Sequence, residues 1–154
     1  MKLTVGAPAP AFHLESTDGP VSLAGLRGSR VVLYFYPKDD TPGCTREACA
    51  FRDSMKRLDG HGAVVIGVSK DSVDSHQRFR KKYDLPFALA SDPGNEVAKA
   101  YGAFGPKNMY GKLVNGTIRS TFLIDAEGRI EHIWSPVKVD GHVDQVLAAL
   151  GEPE

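Results

Sequence analysis

The 154-residue chain has few cysteines, no net charge and no long apolar run. Two cysteines are too few for the disulfide framework of a small secreted domain. The 19 basic and 19 acidic residues cancel, so there is no net positive field to attract nucleic acid or an anionic membrane. No stretch approaches the ~20 apolar residues of a membrane-spanning helix, and no apolar signal segment follows the start. These absences predict a cytoplasmic protein with no nucleic-acid and no membrane partner.

Motifs of the common cofactor and hydrolase classes are also missing. No G-x-G-x-x-G follows a predicted strand, Gly111-Lys112 lacks the surroundings of a phosphate-binding loop, and no serine stands in a G-x-S-x-G elbow. Two cysteines five positions apart do not match the ligand number or spacing of a structural zinc site. We therefore expect no metal and no organic cofactor. The scattered histidines are interpreted as surface or packing residues: His13, His61, His76, His132 and His142.

The composition is that of one ordinary globular domain. Apolar residues make up 42% of the chain and charged residues 25%. No repeat, low-complexity tract or long linker divides the sequence, and the length suits a single domain. We expect one domain over residues 1–154, with a loosely held end at residues 151–154.

Strand and helix signals alternate along the chain. Runs rich in β-branched and aromatic residues predict strands at 30–36, 63–69, 87–90, 118–125 and 129–134, after two short extended pieces around 12–14 and 21–23. Apolar spacings of three and four predict helices at about 41–60, 72–83, 92–102 and 140–150. Strands separated by helices favour parallel pairing, while the last two strands are close enough to form an antiparallel hairpin. The order predicts an α/β, thioredoxin-like fold: a central mixed sheet flanked by helices on both faces, with an extra N-terminal hairpin.

Residues 103–117 are rich in glycine and have the weakest pattern. This stretch is the least predictable part of the chain, and no helix or strand is assigned to it. Its one sharp signal is Asn115-Gly116, a pair typical of tight turns, and we expect a turn at that position.

The segment between Pro37 and Cys49 carries the residues best suited to chemistry. If Thr41 is the N-cap and Pro42 the first helical residue, Cys44 lies in the first turn of a helix. The free backbone N–H groups of a first turn favour an anion, and the thiolate is the reactive form of cysteine. Cys44 also follows a buried strand, at the sheet edge where α/β folds place their sites. It is a candidate nucleophile, and the alternative is an inert buried thiol.

Cys49 follows Cys44 by five residues. In an intact helix their Cα atoms are roughly 8–9 Å apart, whereas a disulfide needs at most about 7 Å. If both lie in one helix and form a disulfide, the first turns of that helix must unwind. The alternative for Cys49 is ordinary core packing.

The pattern Pro37-x-x-x-Thr41-x-x-Cys44 resembles the active-site motif of the peroxiredoxins. The longer run YFYPKDDTPGCTREAC, residues 34–49, is similar to the Q-type subgroup, also called bacterioferritin comigratory protein. The similarity continues through three further stretches: Val5-Gly6-x-x-Ala9-Pro10-x-Phe12, Met109–Lys112 and Arg119–Asp125.

The resemblance implies a role for each of five residues. Cys44 attacks the peroxide and Cys49 resolves the product, while the hydroxyl of Thr41 binds the peroxide and the thiolate. Pro37 shields the pocket, and Arg119 lies beside the sulfur, where a guanidinium favours the thiolate and offers a fixed fork of donors. Without the resemblance, Arg119 is as readily interpreted as a solvated strand-edge residue.

The resemblance also implies an activity, a partner and an assembly. It implies an antioxidant peroxidase that reduces hydrogen peroxide and organic hydroperoxides, forms an intramolecular disulfide, is recycled by thioredoxin or a similar dithiol, and acts as a monomer. Two alternatives remain open. A disulfide reductase or isomerase on the same fold would need C-x-x-C rather than this wider spacing. A non-enzymatic binding module or holdase would carry an ordinary, slowly reacting thiol at Cys44.

Overall fold

A five-stranded mixed sheet forms the centre of the protein, whose computed structural model describes residues 3–151, apart from the side chain of Met109. The expectation for residues 152–154 lies outside that range. Among the described residues, no helix is long and apolar enough to cross a membrane. The elements in chain order are β1 (His13–Leu14), β2 (Val21–Ser22), a 3₁₀ helix (Ala24–Leu26), β3 (Arg30–Phe35), α1 (Pro42–Asp53), α2 (Met55–Gly60), β4 (Ala63–Ser69), α3 (Val73–Tyr83), β5 (Ala88–Ser91), α4 (Glu96–Ala100), β6 (Phe104–Met109), β7 (Lys112–Thr117), β8 (Ser120–Ile124), β9 (Ile130–Trp134) and α5 (His142–Ala149).

The order of the sheet is β5-β4-β3-β8-β9. β3, β4 and β5 are parallel, whereas β8 runs antiparallel to β3 and β9 antiparallel to β8. β1 and β2 form a separate antiparallel pair before the sheet. The predicted mixed sheet and N-terminal hairpin are thereby confirmed.

The two faces of β3 belong to two different apolar cores. Val32 and Tyr34 point to one core, and Val31, Leu33 and Phe35 to the other, because side chains alternate along a strand. The first core includes side chains of α1, α2, α3 and α5, and the second includes those of α4 and the N-terminal segment. Helices therefore cover both faces, as the alternation of strands and helices predicts.

The helix predicted over about 41–60 is two helices. α1 ends at Asp53, and Ser54 leaves helical geometry with φ −108° and ψ 6° before α2 begins. The N–H of Ser54 bonds to the carbonyl of Phe51, three residues back, which tightens the chain at the break. Phe51 and Leu58 remain buried on the same core, so the apolar face continues across the break that the periodicity did not reveal.

The turn expected at Asn115-Gly116 is wrong. Both residues lie inside β7, which pairs with β6 in a two-stranded ribbon, and the turn is at Tyr110-Gly111, where φ is +52° and +81°. Two successive positive φ values match the tight turns that join twisted hairpins. Gly116 has another use, since a Cβ there would lie 3.0 Å from Cε of Lys107. The glycine lets the lysine side chain cross the ribbon.

Two element boundaries shift in ways that concern side chains. The helix expected from Asp92 begins at Glu96, and the Asp92 carboxylate instead accepts hydrogen bonds from two amides of α4. The strand expected from residue 118 begins at Ser120, so Arg119 stands just before β8. Ser120 pairs with Phe35, the last residue of β3, and Arg119 is therefore delivered to the edge of the sheet where β3 ends.

Candidate active site

Cys44 is the third residue of α1, close to the edge where the parallel strands end. The helix begins as the sequence predicts, with Thr41 in an extended conformation at the N-cap and Pro42 in the first helical position. The amide of Thr45 closes the first turn on the Thr41 carbonyl at 2.8 Å. Cys44 is a free thiol with 2% of its surface exposed. The first turn thus presents a buried sulfur among amides that favour a negative charge.

Arg119 lies directly against this sulfur. Its Nη2 donates to Sγ of Cys44 at 3.2 Å, and its Nη1 donates to Oε1 of Glu47 at 2.7 Å. Burial lowers the pKa of Arg119, but Glu47 and Cys44 more than offset this and raise it on balance. The guanidinium therefore stays charged beside the sulfur, a place where a cation favours the thiolate form of a cysteine.

Glu47 is a member of this cluster that the motif analysis missed. It lies three residues after Cys44 on the same face of α1 and is 1% exposed, with Arg119 as the donor to Oε1. Its Oε2 has no hydrogen-bond partner in the part of the chain that the structure describes. Burial raises the pKa of Glu47 to about 7, against the opposing effect of Arg119. The signal in the sequence was a lone acid on the apolar face of a helix, one turn from the cysteine.

Thr41 and Pro37 lie in the loop of residues 37–41 that joins β3 to α1, and both are partly buried. Thr41 occupies the N-cap position but makes no side-chain cap bond. Its hydroxyl donates to the Lys38 carbonyl at 2.9 Å instead. The position of this hydroxyl therefore depends on the conformation of the loop.

Cys49 is in the same uninterrupted helix as Cys44 and is also a free thiol, partly exposed. Five helical residues separate their Cα atoms by roughly 8–9 Å, beyond the reach of a disulfide. A bond between the two sulfurs would require the first turns of α1 to unwind.

A second cation stands near the cluster. Lys107 on β6 donates from Nζ to the Thr117 carbonyl at 3.0 Å. Burial lowers its pKa, as do the positive charges of Lys70 and Arg119, while Cys44 acts in the opposite direction. Two cations, Arg119 and Lys107, therefore interact with the Cys44 sulfur, although the chain as a whole carries no net charge.

Gly43 allows the close approach of Arg119. A Cβ at this position would lie 3.2 Å from Nη2 of Arg119, the atom that donates to Cys44. That distance is shorter than an ordinary van der Waals contact, so a larger residue would press on the guanidinium.

The comparisons with known proteins agree with this geometry. The sequence profile of the AhpC/TSA family matches residues 5–133. The chain is 54% identical over 151 residues to a Coxiella burnetii protein named as a peroxiredoxin, bcp, covering 97% of this chain and 100% of the relative. Peroxiredoxin Bcp of Bacillus subtilis is 46% identical over 151 residues, with 97% and 96% covered. A structure of the bacterioferritin comigratory protein of Xanthomonas campestris, described for its alkyl peroxide reduction activity, superposes with a TM-score of 0.85 at 44% identity, covering 90% of this chain and 89% of that one.

Proposed function

The chain belongs to the AhpC/TSA family of peroxiredoxins, in its Q-type or bacterioferritin comigratory protein subgroup, and we propose that Cys44 is the thiol with which this peroxidase reduces hydroperoxides. The observation that carries the proposal is the 3.2 Å contact between Nη2 of Arg119 and Sγ of Cys44 in the first turn of α1. A guanidinium and helix amides beside a cysteine sulfur favour its reactive thiolate form.

In the first step, the Cys44 thiolate attacks one oxygen of the hydroperoxide. A sulfur–oxygen bond forms, the O–O bond breaks, and the leaving alkoxide or hydroxide takes a proton to become an alcohol or water. We assign the stabilisation of the charge on the leaving oxygen to Arg119, which contacts the sulfur, and to the hydroxyl of Thr41 at the start of the same helix. Pro37 shields the sulfur from bulk water. Cys44 is then a sulfenic acid.

In the second step, Cys49 resolves the sulfenic acid. Its thiolate attacks Sγ of Cys44, a disulfide forms, and the sulfenic hydroxyl leaves as water after gaining a proton. Because both cysteines lie in α1, we propose that the first turns of the helix unwind before this step. The reaction needs neither a metal nor an organic cofactor.

A dithiol protein, thioredoxin or one like it, returns the enzyme to its reduced form. One of its thiolates attacks the Cys44–Cys49 disulfide, and its second thiol releases the mixed disulfide, so that two electrons pass to the peroxidase. We further propose that the chain is a single domain, works as a monomer in the cytoplasm, and accepts both hydrogen peroxide and organic hydroperoxides in antioxidant defence. The alkyl peroxide activity named for the Xanthomonas relative supports the wider substrate range.

The deciding experiment is peroxide-dependent NADPH oxidation with thioredoxin and thioredoxin reductase, comparing the wild type with Cys44→Ser and Cys49→Ser. We expect no turnover from Cys44→Ser. We expect Cys49→Ser to reduce one equivalent of peroxide and then to recycle poorly. If the wild type does not reduce peroxide even in a single turnover, the alternative of a non-enzymatic binding module would be favoured. If Cys44→Ser keeps full activity, the nucleophile must be a residue other than Cys44.

A further inference from the structure

A buried polar cluster lies behind the loop of residues 37–41. It consists of Tyr36, Asp39, Ser75 and His76, here called the Asp39 cluster, and joins the loop to α3. Asp39 is 8% exposed and His76 0% exposed. Because buried charges are retained at a cost unless they are paired, a carboxylate and an imidazole in this position need an explanation.

Three donors converge on the Asp39 carboxylate. Tyr36 Oη donates to Oδ1 at 2.5 Å, Ser75 Oγ donates to Oδ2 at 2.8 Å, and Nδ1 of His76 is 2.7 Å from Oδ2. The backbone N–H of Asp39 is held as well, by Oδ2 of Asp71 at 2.9 Å. A carboxyl group that accepts from several neighbours is stabilised as the anion.

The second ring nitrogen of His76 determines the protonation of the pair. Nε2 is 2.9 Å from the carbonyl oxygen of Ala90, and a carbonyl oxygen only accepts, so Nε2 carries a proton. Nδ1 lies 2.7 Å from Oδ2 of Asp39, whose carboxylate already accepts from the hydroxyls of Tyr36 and Ser75, so this hydrogen-bond pattern places the shared proton on Nδ1. It makes the pair an imidazolium and a carboxylate, which together are neutral.

Asp40, the residue after Asp39, bonds to the exposed side of α3. Asp40 has a positive φ of 57°, and its carboxylate accepts from Nζ of Lys82 at 2.7 Å and from Oη of Tyr83 at 2.8 Å. Two successive aspartates thus fasten the loop to α3, one by buried contacts and one at the surface. Thr41 follows immediately, and α1 begins at Pro42.

We propose that the Asp39–His76 ion pair is a positioning device for the peroxidase reaction, holding the loop of residues 37–41 so that the hydroxyl of Thr41 and the first turn of α1 keep their places around Cys44. The inference rests on the proposed function of Cys44. His76 touches neither the sulfur nor the substrate and acts through the loop.

The test uses two amide substitutions of His76, each of which keeps one of the two hydrogen bonds made by the ring nitrogens. Asparagine at position 76 places a donor near Nδ1 and keeps the bond to Asp39, whereas glutamine places one near Nε2 and keeps the bond to Ala90. In a Cys49→Ser background, with dimedone trapping the sulfenic acid, we expect His76→Gln to lower the rate constant for oxidation of Cys44 by hydrogen peroxide by about tenfold to a hundredfold, the effect of a small misplacement. We expect His76→Asn to stay within about threefold of the parent, since its loop contact survives.

Arg80→Met is the matched control for a general loss of stability in α3. Arg80 is on the same helix but bonds to Thr17, Asp18 and the Leu85 carbonyl, away from the loop. This variant should oxidise at the parental rate even if its unfolding midpoint falls as far as that of His76→Gln. Equal rates in His76→Gln and His76→Asn would overturn the inference, and so would an equal loss in Arg80→Met.

A second measurement is independent of activity. In ¹⁵N NMR spectra of the reduced protein at neutral pH, both ring nitrogens of His76 should be protonated. Amide hydrogen exchange at Asp39 should accelerate in His76→Gln and not in His76→Asn. A single protonated nitrogen, or unchanged exchange in both variants, would overturn the inference. A wild type inert to peroxide would refute the proposed function alone, because the exchange data would still show whether the pair holds the loop.

Discussion

Two buried carboxylates lie on opposite sides of the start of α1, and they are held very differently. Asp39, on the loop side, accepts from Tyr36, Ser75 and His76. Glu47, on the helix side, has Arg119 on one oxygen, and its other oxygen lacks a partner within residues 3–151. One carboxylate is satisfied on both oxygens and the other on one.

The difference separates an anchor from a responsive group. A buried carboxylate with donors on both of its oxygens, as at Asp39, specifies one geometry and resists change. Burial raises the pKa of the half-satisfied Glu47 to about 7, so its charge changes close to neutral pH. Because Arg119 is shared between Glu47 and Cys44, the charge of Glu47 affects the guanidinium that faces the sulfur.

The largest effect should come from removing the group that joins Glu47 to the sulfur. Arg119→Met takes away the donor to Cys44 and leaves Glu47 buried without a partner. We expect the rate constant for oxidation of Cys44 by hydrogen peroxide to fall by about 10²–10³, as when a preorganised donor is lost. Stopped-flow measurement would record it, with Arg46→Met as a control because Arg46 forms an exposed pair with Asp140. A loss below threefold would contradict the role of Arg119.

Amide substitutions test the two carboxylates directly. Asp39→Asn leaves the His76 imidazolium buried without its anion, so we expect the free energy of unfolding to fall by about 3 kcal/mol, as when one member of a buried pair is removed. Glu47→Gln replaces a carboxylate that has a hydrogen-bond donor on only one oxygen, and we expect its free energy of unfolding to stay within about 1 kcal/mol of the wild type. Urea unfolding at pH 7 measures both. Equal losses would mean that the two sites are held alike.

The pH dependence of stability should distinguish the same two sites. The pKa of Glu47 rises from an ordinary value of 4.5 to about 7 on folding. The folded protein then holds a proton that the unfolded chain releases, so this group's contribution to stability is complete below about pH 4.5 and is lost as the pH rises towards 7. We expect the wild type to lose on the order of 2–3 kcal/mol more than Glu47→Gln between pH 5 and pH 8 in urea titrations. Parallel pH profiles for the two proteins would refute the assignment.

Asp40→Asn should have the smallest effect on the free energy of unfolding. Asp40 bonds to Lys82 and Tyr83 at the surface, where ion pairs contribute little. Asparagine also accepts the positive φ found at this position. We expect Asp40→Asn to unfold at the wild-type urea concentration, in contrast to Asp39→Asn. A loss as large as that of Asp39→Asn would show that the surface contacts hold the loop.

Much of the fold could be predicted from local sequence. β4 has the predicted bounds, β3 ends one residue early, and α1 begins after Thr41, because apolar periodicity and capping residues are local signals. The errors arose where tertiary packing overrides them. Asn115-Gly116 has the residue types of a turn, but it lies within β7, where Gly116 leaves room for the side chain of Lys107. The turn is made by Tyr110-Gly111 instead.

The candidate site was predictable only in part. The motif and the family resemblance pointed to Cys44 and Arg119, which the fold brings together across 75 residues. Glu47 was visible only as a polar residue on an apolar helical face. The sequence predicts His76 only to be a surface or packing residue, because its pairing with Asp39, 37 residues away, follows from how α3 packs against the loop and has no local signature.

Gly43 has no side chain, and this leaves room for the guanidinium of Arg119 beside the backbone. A Cβ at position 43 would lie only 3.2 Å from Nη2 of Arg119. Glu47 and Cys44 tie the two terminal nitrogens, so the guanidinium has little freedom to retreat. An alanine at this one position would therefore change the reach of Arg119 to the sulfur while every reacting residue stayed the same. Position 43 therefore sets the clearance available to the guanidinium although its residue contributes no side chain to the reaction.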